Sequence, residues 1–195
     1  MASAKPAGRG DPPNLPKTSS DGATTGNLAK VSFPQIRPSR NLTQLQHSAF
    51  SISYPENWQV SGNRQSTVTI APQAGVGEGA IAYGVVIGGA QDPNAGSLDE
   101  ATADLVQTLQ SSNPGLRLSG DTQNIDVNGL PGRSVVLTGA SPIQQGGEAL
   151  RERDWVVTVP RRQGGLLYLV LIAPEKDFPD LRSTYERMLD TLQVQ

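Results

Sequence analysis

Phe50, Ile52 and Tyr54 alternate with serines in the segment FSISYPENWQV, which is the two-residue period of a strand with one face buried. Pro55 stops that ladder because its ring nitrogen has no hydrogen to donate, and Trp58 follows a short polar turn. Val68 and Ile70 alternate with Thr67 and Thr69 to predict a second strand, closed by Ala71-Pro72. Residues 81–88, IAYGVVIG, are nearly all apolar and predict one strand in the centre of a sheet.

At Ser97 the period changes. Ser97-Leu98-Asp99-Glu100 fits a reciprocal capping box, in which the serine hydroxyl takes one orphan amide and the glutamate reaches back to another. Leu98, Ala101, Leu105, Val106 and Leu109 then recur at helical spacing, and Asn113-Pro114-Gly115 ends the helix. Strand signals return at 116–118, 124–127, 134–138, 154–159 and 166–173, separated by Asn128-Gly129, Gly146-Gly147 and Gly164-Gly165. Asn128-Gly129 is a hairpin signal, since both central residues of the tight turn need positive φ. Asp177-Phe178-Pro179-Asp180 opens a last helix with an N-cap and an early proline, and Phe178, Leu181, Tyr185, Met188, Leu189 and Leu192 form its apolar stripe. About seven strands joined largely by hairpins, with two amphipathic helices, predict an α+β sandwich: an antiparallel sheet of six to seven strands covered by helices. Alternating βαβ units are missing, which disfavours a doubly wound nucleotide fold.

Residues 1–47 carry six prolines and no sustained apolar period, too little buried surface to offset chain entropy. They are expected to be a disordered linker or tail, with the folded domain spanning 48–195. Charge divides at the same place. The arm holds six basic and two acidic residues, leaving ten basic and sixteen acidic in the remainder, so the domain is acidic and has no basic stripe to follow a phosphate backbone. Nucleic acid is not an expected partner. The chain has no cysteine, which removes disulfides, thiol nucleophiles and thiolate-bound zinc, and no stretch approaches the roughly 20 apolar residues of a membrane helix.

Candidate chemistry is thin. Gly75-Val76-Gly77-Glu78-Gly79 lacks the Gly-Lys-Ser/Thr ending of a phosphate cradle and reads as a hairpin tip. No Gly-x-Ser-x-Gly elbow occurs, and the single histidine, His47, lies in the arm. Acid pairs at Asp99-Glu100 and Glu175-Asp177 belong to helix starts, where negative charge meets exposed amides. Asp121 and Asp126 lack the surrounding oxygen ligands that calcium needs. No catalytic residue, cofactor or metal site is expected. Tyr54 and Trp58 read as core. The cluster Arg151, Glu152, Arg153, Asp154 with Trp155 has two readings, a solvated strand edge or a recognition edge; Arg151, Arg153, Asp154 and Trp155 are the candidate partner-binding residues.

The strand FSISYPENWQV, the helix before Asn113-Pro114, the hairpin at Val127-Asn128-Gly129 and a C-terminal helix after LLYLVLIAPEKDF together resemble the PsbP/Mog-like fold over about residues 48–195. Tyr54-Pro55-x-x-Trp58 is the specific part of that resemblance. It implies an α/β/α sandwich and a docking surface in place of an active site: photosystem members stabilise a membrane complex, and nuclear-transport members bind the Ran GTPase. A narrower resemblance rests on Arg151-Glu152-Arg153-Asp154-Trp155 followed by LLYLVLIAPEKDF behind a proline-rich arm, which is similar to C-terminal extensions of bacterial HtpX/Ste-type zinc metallopeptidases. It implies a bacterial, extracytoplasmic accessory domain next to a peptidase whose His-Glu-x-x-His motif is not in this sequence. The expected function is therefore a non-catalytic module that binds a protein partner or an attached peptidase domain. The alternative is a small-ligand or metal-binding domain with a pocket between sheet and helix.

Overall fold

The computed structural model describes residues 28–62, 67–77, 79–91 and 96–195. The first part runs through α1 (Phe33–Ile36), β1 (Leu42–Gln46), β2 (Phe50–Pro55), β3 (Gln59–Gly62), β4 (Thr67–Ala71), β5 (Val76–Gly77), β6 (Ala80–Ile81) and β7 (Gly84–Ala90). It continues through α2 (Leu98–Ser112), β8 (Arg117–Leu118), β9 (Gln123–Val127), β10 (Leu130–Gln145), β11 (Glu148–Pro160), β12 (Leu166–Pro174), α3 (Phe178–Leu189) and β13 (Gln193–Val194).

An eight-stranded antiparallel sheet is ordered β3-β4-β7-β12-β11-β10-β8, with β9 also paired to β10. A smaller sheet, β1-β2-β13, and the β5-β6 hairpin complete the strands. The α+β class and the antiparallel sheet between helices are as the sequence predicts. The strand count is higher because the short strands β1, β3 and β13 carry mostly exposed, polar residues that give no clear period.

Two apolar layers flank the large sheet. On one face Leu105, Val106 and Leu109 of α2 pack on Val135, Leu137, Val156, Val170 and Ile172. On the other, Leu181, Tyr185, Met188 and Leu189 of α3 join Phe50 and Ile52 of the small sheet over Val157, Leu169 and Leu171. Alternation along the strands produces this sorting, since neighbouring residues point to opposite faces. Thr102 on α2 and Thr158 on β11 also share a buried hydrogen bond of 2.7 Å between their hydroxyls.

Residues 28–47, assigned from sequence to the arm, are part of the fold. Leu28 and Ile36 are fully buried, and β1 pairs with β2 from Leu42↔Pro55 to Gln46↔Ser51. Their apolar anchors are too widely spaced to register as a period. The earlier part of the expected arm lies outside the described residues.

The apolar run 81–88 is not one strand. It breaks at Ala82-Tyr83, where Gly84 takes φ +144°, and only then does β7 begin. Ser97 caps α2 as predicted, its hydroxyl accepting the Glu100 amide at 3.2 Å, but the glutamate carboxylate returns to the Gly96 amide at 2.6 Å. Asp177 stands at the start of α3 without capping it through its side chain.

Asp177 instead accepts the Tyr83 hydroxyl at 2.6 Å in a buried contact. Burial and the adjoining carboxylate push the Tyr83 phenol well above its ordinary range, so the proton stays on the tyrosine. This bond ties the break before β7 to the head of α3. Tyr83→Phe leaves the buried carboxylate oxygen without that donor and is expected to lower stability by about 1–3 kcal/mol in denaturant titration. An unchanged midpoint would mean the bond is dispensable.

Candidate functional site

Strand β11 runs Arg151, Glu152, Arg153, Asp154, Trp155, and the strand period divides that cluster in two. Arg151, Arg153 and Trp155 point to the face that carries α3. Glu152 and Asp154 point to the α2 face, both fully buried. Asp154 therefore does not share a surface with the other three candidate residues. The solvated-edge reading also fails, because β11 is hydrogen-bonded on both sides: Arg153 is opposite Thr138 on β10 and Ala173 on β12.

Helix α3 covers β12 and the small sheet but leaves part of this face uncovered towards β9. In the uncovered strip lies a cleft of about 250 Å³. Trp155 and Val136 form its floor, Ile125 of β9 one side, and Phe178 and Arg182 of α3 the other. Trp155 is 9% exposed, and its indole N–H donates to Ser134 Oγ at 2.8 Å, which fixes the ring plane. Arg182 lies over that ring with its guanidinium carbon 5.9 Å from the centroid, and Arg153 lies over Phe178 at 5.5 Å. Each aromatic face thus carries a cation, a contact worth about 0.5–1 kcal/mol at an exposed site.

The ion pairs around the cleft are incompletely matched. Arg153 and Arg151 share a single carboxylate, Glu175, at 3.2 and 3.1 Å. Arg153 Nε is enclosed and, among the described residues, has no hydrogen-bond partner. Arg182 pairs with Glu186 one turn along the helix at 2.8 Å, with both side chains about half exposed. Such surface pairs contribute little and exchange readily for a competing anion. A second cleft of about 300 Å³ opens beside Leu150, Arg151, Glu175 and Lys176, extending the cationic surface along β11.

Sequence reasoning identifies Arg151, Arg153 and Trp155 but not Phe178 and Arg182. Their spacing of four residues puts Phe178 and Arg182 on one helical face, a usable signal. Which strands that face would flank is not in the local sequence. Among the described residues no group of three or more histidine or acidic side chains is placed to hold a metal ion. No described helix is long and apolar enough to cross a membrane.

No protein-family model and no curated protein matches the chain. Among solved structures, the chain is similar to cyanobacterial PsbP from Synechocystis, with a TM-score of 0.56 at 14% identity over 87% of this chain and 100% of that one. A Pseudomonas aeruginosa protein of unknown function gives 0.48 at 18% identity, covering 80% of this chain and 98% of its own. LpqN of Mycobacterium tuberculosis, involved in cell envelope biogenesis, gives 0.43 at 12% identity, covering 80% and 91%. The first of these likenesses establishes a PsbP-like fold.

Proposed function

We propose that this chain is a non-catalytic binding module whose partner, another protein, docks on the strip of sheet between α3 and β9. One observation carries the reading: Arg153, Trp155, Phe178 and Arg182 come from two different elements and converge on one cleft. Both aromatic rings are held by packing and both cations retain capacity for a further anion. Buried aromatics flanked by arginine are the residue types that dominate protein interfaces. The partner is a separate protein or a domain on the same polypeptide, for which the zinc metallopeptidase of the sequence resemblance is the specific candidate. A small-ligand pocket is less well supported, since both clefts fall at or below the low end of the usual 300–1,000 Å³ range.

Charge reversal tests the surface. The pair Arg151→Glu and Arg153→Glu is expected to weaken capture of the purified partner by at least about tenfold, equivalent to roughly 1.4 kcal/mol. Thermal stability should move by less than about 1 kcal/mol, because the lost ion pairs are partly exposed. Undiminished capture by the reversed variant removes this face as the interface.

A further inference from the structure

We propose that the partner segment is an extended acidic peptide that adds as a strand to the outer edge of β9 and places alternate side chains in the adjoining cleft. This rests on the docking face proposed above and adds the conformation and chemistry of what binds there.

Among the described residues, strand β9 pairs only with β10. The two-residue turn Asn128-Gly129, at φ +51° and +80°, sets the register: Val127↔Leu130, Asp126↔Pro131, Ile125↔Gly132, Asn124↔Arg133 and Gln123↔Ser134. In such a hairpin the pair flanking the turn exchanges hydrogen bonds and the next does not. Pro131, which has no N–H, fits its non-bonded position opposite Asp126. It follows that Gln123, Ile125 and Val127 spend their backbone groups on β10, while the N–H and C=O of Asn124 and Asp126 point away from the sheet. No backbone hydrogen bond among the described residues meets these outward groups.

An unpaired row of this kind is a template for another strand unless it is blocked. No lysine, proline or bulge blocks β9, and the Asp126 carboxylate is occupied by the Gly129 amide at 2.8 Å. Gln123, Asn124 and Asp126 are exposed. The opposite edge, β3, is also exposed, but neither of the two clefts described above is lined by its residues.

Strand addition takes affinity from main-chain hydrogen bonds and specificity from pockets that receive every second side chain. Here the pocket beside the edge has Ile125 and Trp155 for an apolar group, and Arg182 and Arg153 beyond them for a carboxylate. Charge complementarity fixes the sign: the cleft is lined by two guanidinium groups, those of Arg153 and Arg182. A lysine-rich segment would meet repulsion.

The probe is an acetylated, amidated eight-residue peptide alternating threonine and glutamate, titrated into isotopically labelled full chain. The amide resonances of Asn124 and Asp126 should shift and their hydrogen exchange slow, and the lysine counterpart should leave both unmoved. Methylating alternate peptide nitrogens removes the strand hydrogen bonds without altering charge or protein, and is expected to weaken binding at least about tenfold. Asn124→Pro should do the same, since the amide it removes is not used by β10. If the methylated peptide binds as well as the parent, or the Asn124 and Asp126 amides stay unperturbed, strand addition is wrong. Partner capture that is lost on reversing Arg151 and Arg153 but indifferent to Asn124→Pro would overturn this inference alone and leave the docking face standing.

Discussion

Gly84→Ala is expected to cost about 2–5 kcal/mol of folding stability, the sum of backbone strain and forced overpacking at one atom. Gly84 holds φ +144°, a value side-chain-bearing residues rarely adopt. A Cβ there would lie 2.6 Å from Ala71 Cβ and 2.8 Å from the Ile70 carbonyl oxygen, both on neighbouring β4. Neither can withdraw, because Ala71 and Ile70 are buried and the strand is pinned through Ile70↔Val85. The glycine is also the pivot that turns Tyr83 towards Asp177 before β7 enters the sheet, and its carbonyl oxygen accepts the Tyr185 hydroxyl at 3.4 Å. Gly120→Ala is the control. At φ +94° with nothing within 4 Å of the added carbon, it meets strain alone, about 1–2 kcal/mol. Chemical denaturation of both variants separates the two effects, and equal losses would show that the contact with β4 relaxes without cost.

The same residue marks the limit of what local pattern can reveal. The run IAYGVVIG is apolar throughout, so burial is legible but the break within it is not: a glycine at positive φ and one at ordinary strand values are the same letter. Elements with a strong period are legible. The stripe from Phe178 to Leu192 is buried as predicted, and so are Leu105, Val106 and Leu109 of α2. Strand β1 is not, because Leu42 and Leu45 sit among exposed polar residues and pairing to β2 alone makes them a strand. At the candidate site, the alternation of the Arg151–Trp155 cluster already separates Asp154 from Arg153 and Trp155 once the segment is known to be a strand. Placing Phe178 and Arg182 beside them requires the register of α3 on the sheet, which is a tertiary property.

Trp58→Ala should be about as damaging, at roughly 3–5 kcal/mol, and it tests why the signature Tyr54-Pro55-x-x-Trp58 has its spacing. Pro55 ends β2, its carbonyl accepts the Trp58 amide at 2.9 Å, and β3 begins one residue later. Those four residues carry the chain from the small sheet to the large one. The Glu56 amide is held by the Asn41 carbonyl at 3.1 Å, so the preceding segment braces the crossing. Trp58 closes it from inside: it is 3% exposed and meets the Tyr185 ring edge-on at 6.2 Å, beneath the helix that borders the cleft. Its indole N–H has no hydrogen-bond partner among the described residues, so the residue contributes volume and ring contact while bearing a polar group that they leave unmet. Trp58→Phe removes that group and keeps an aromatic ring, and its cost should stay within about 1.5 kcal/mol. A large loss for alanine with a small one for phenylalanine identifies Trp58 as a packing wedge that sets where α3 lies. Equal losses would instead assign the indole nitrogen a role in the fold, and a near-zero loss for alanine would break the link between the signature and the joining of the two sheets.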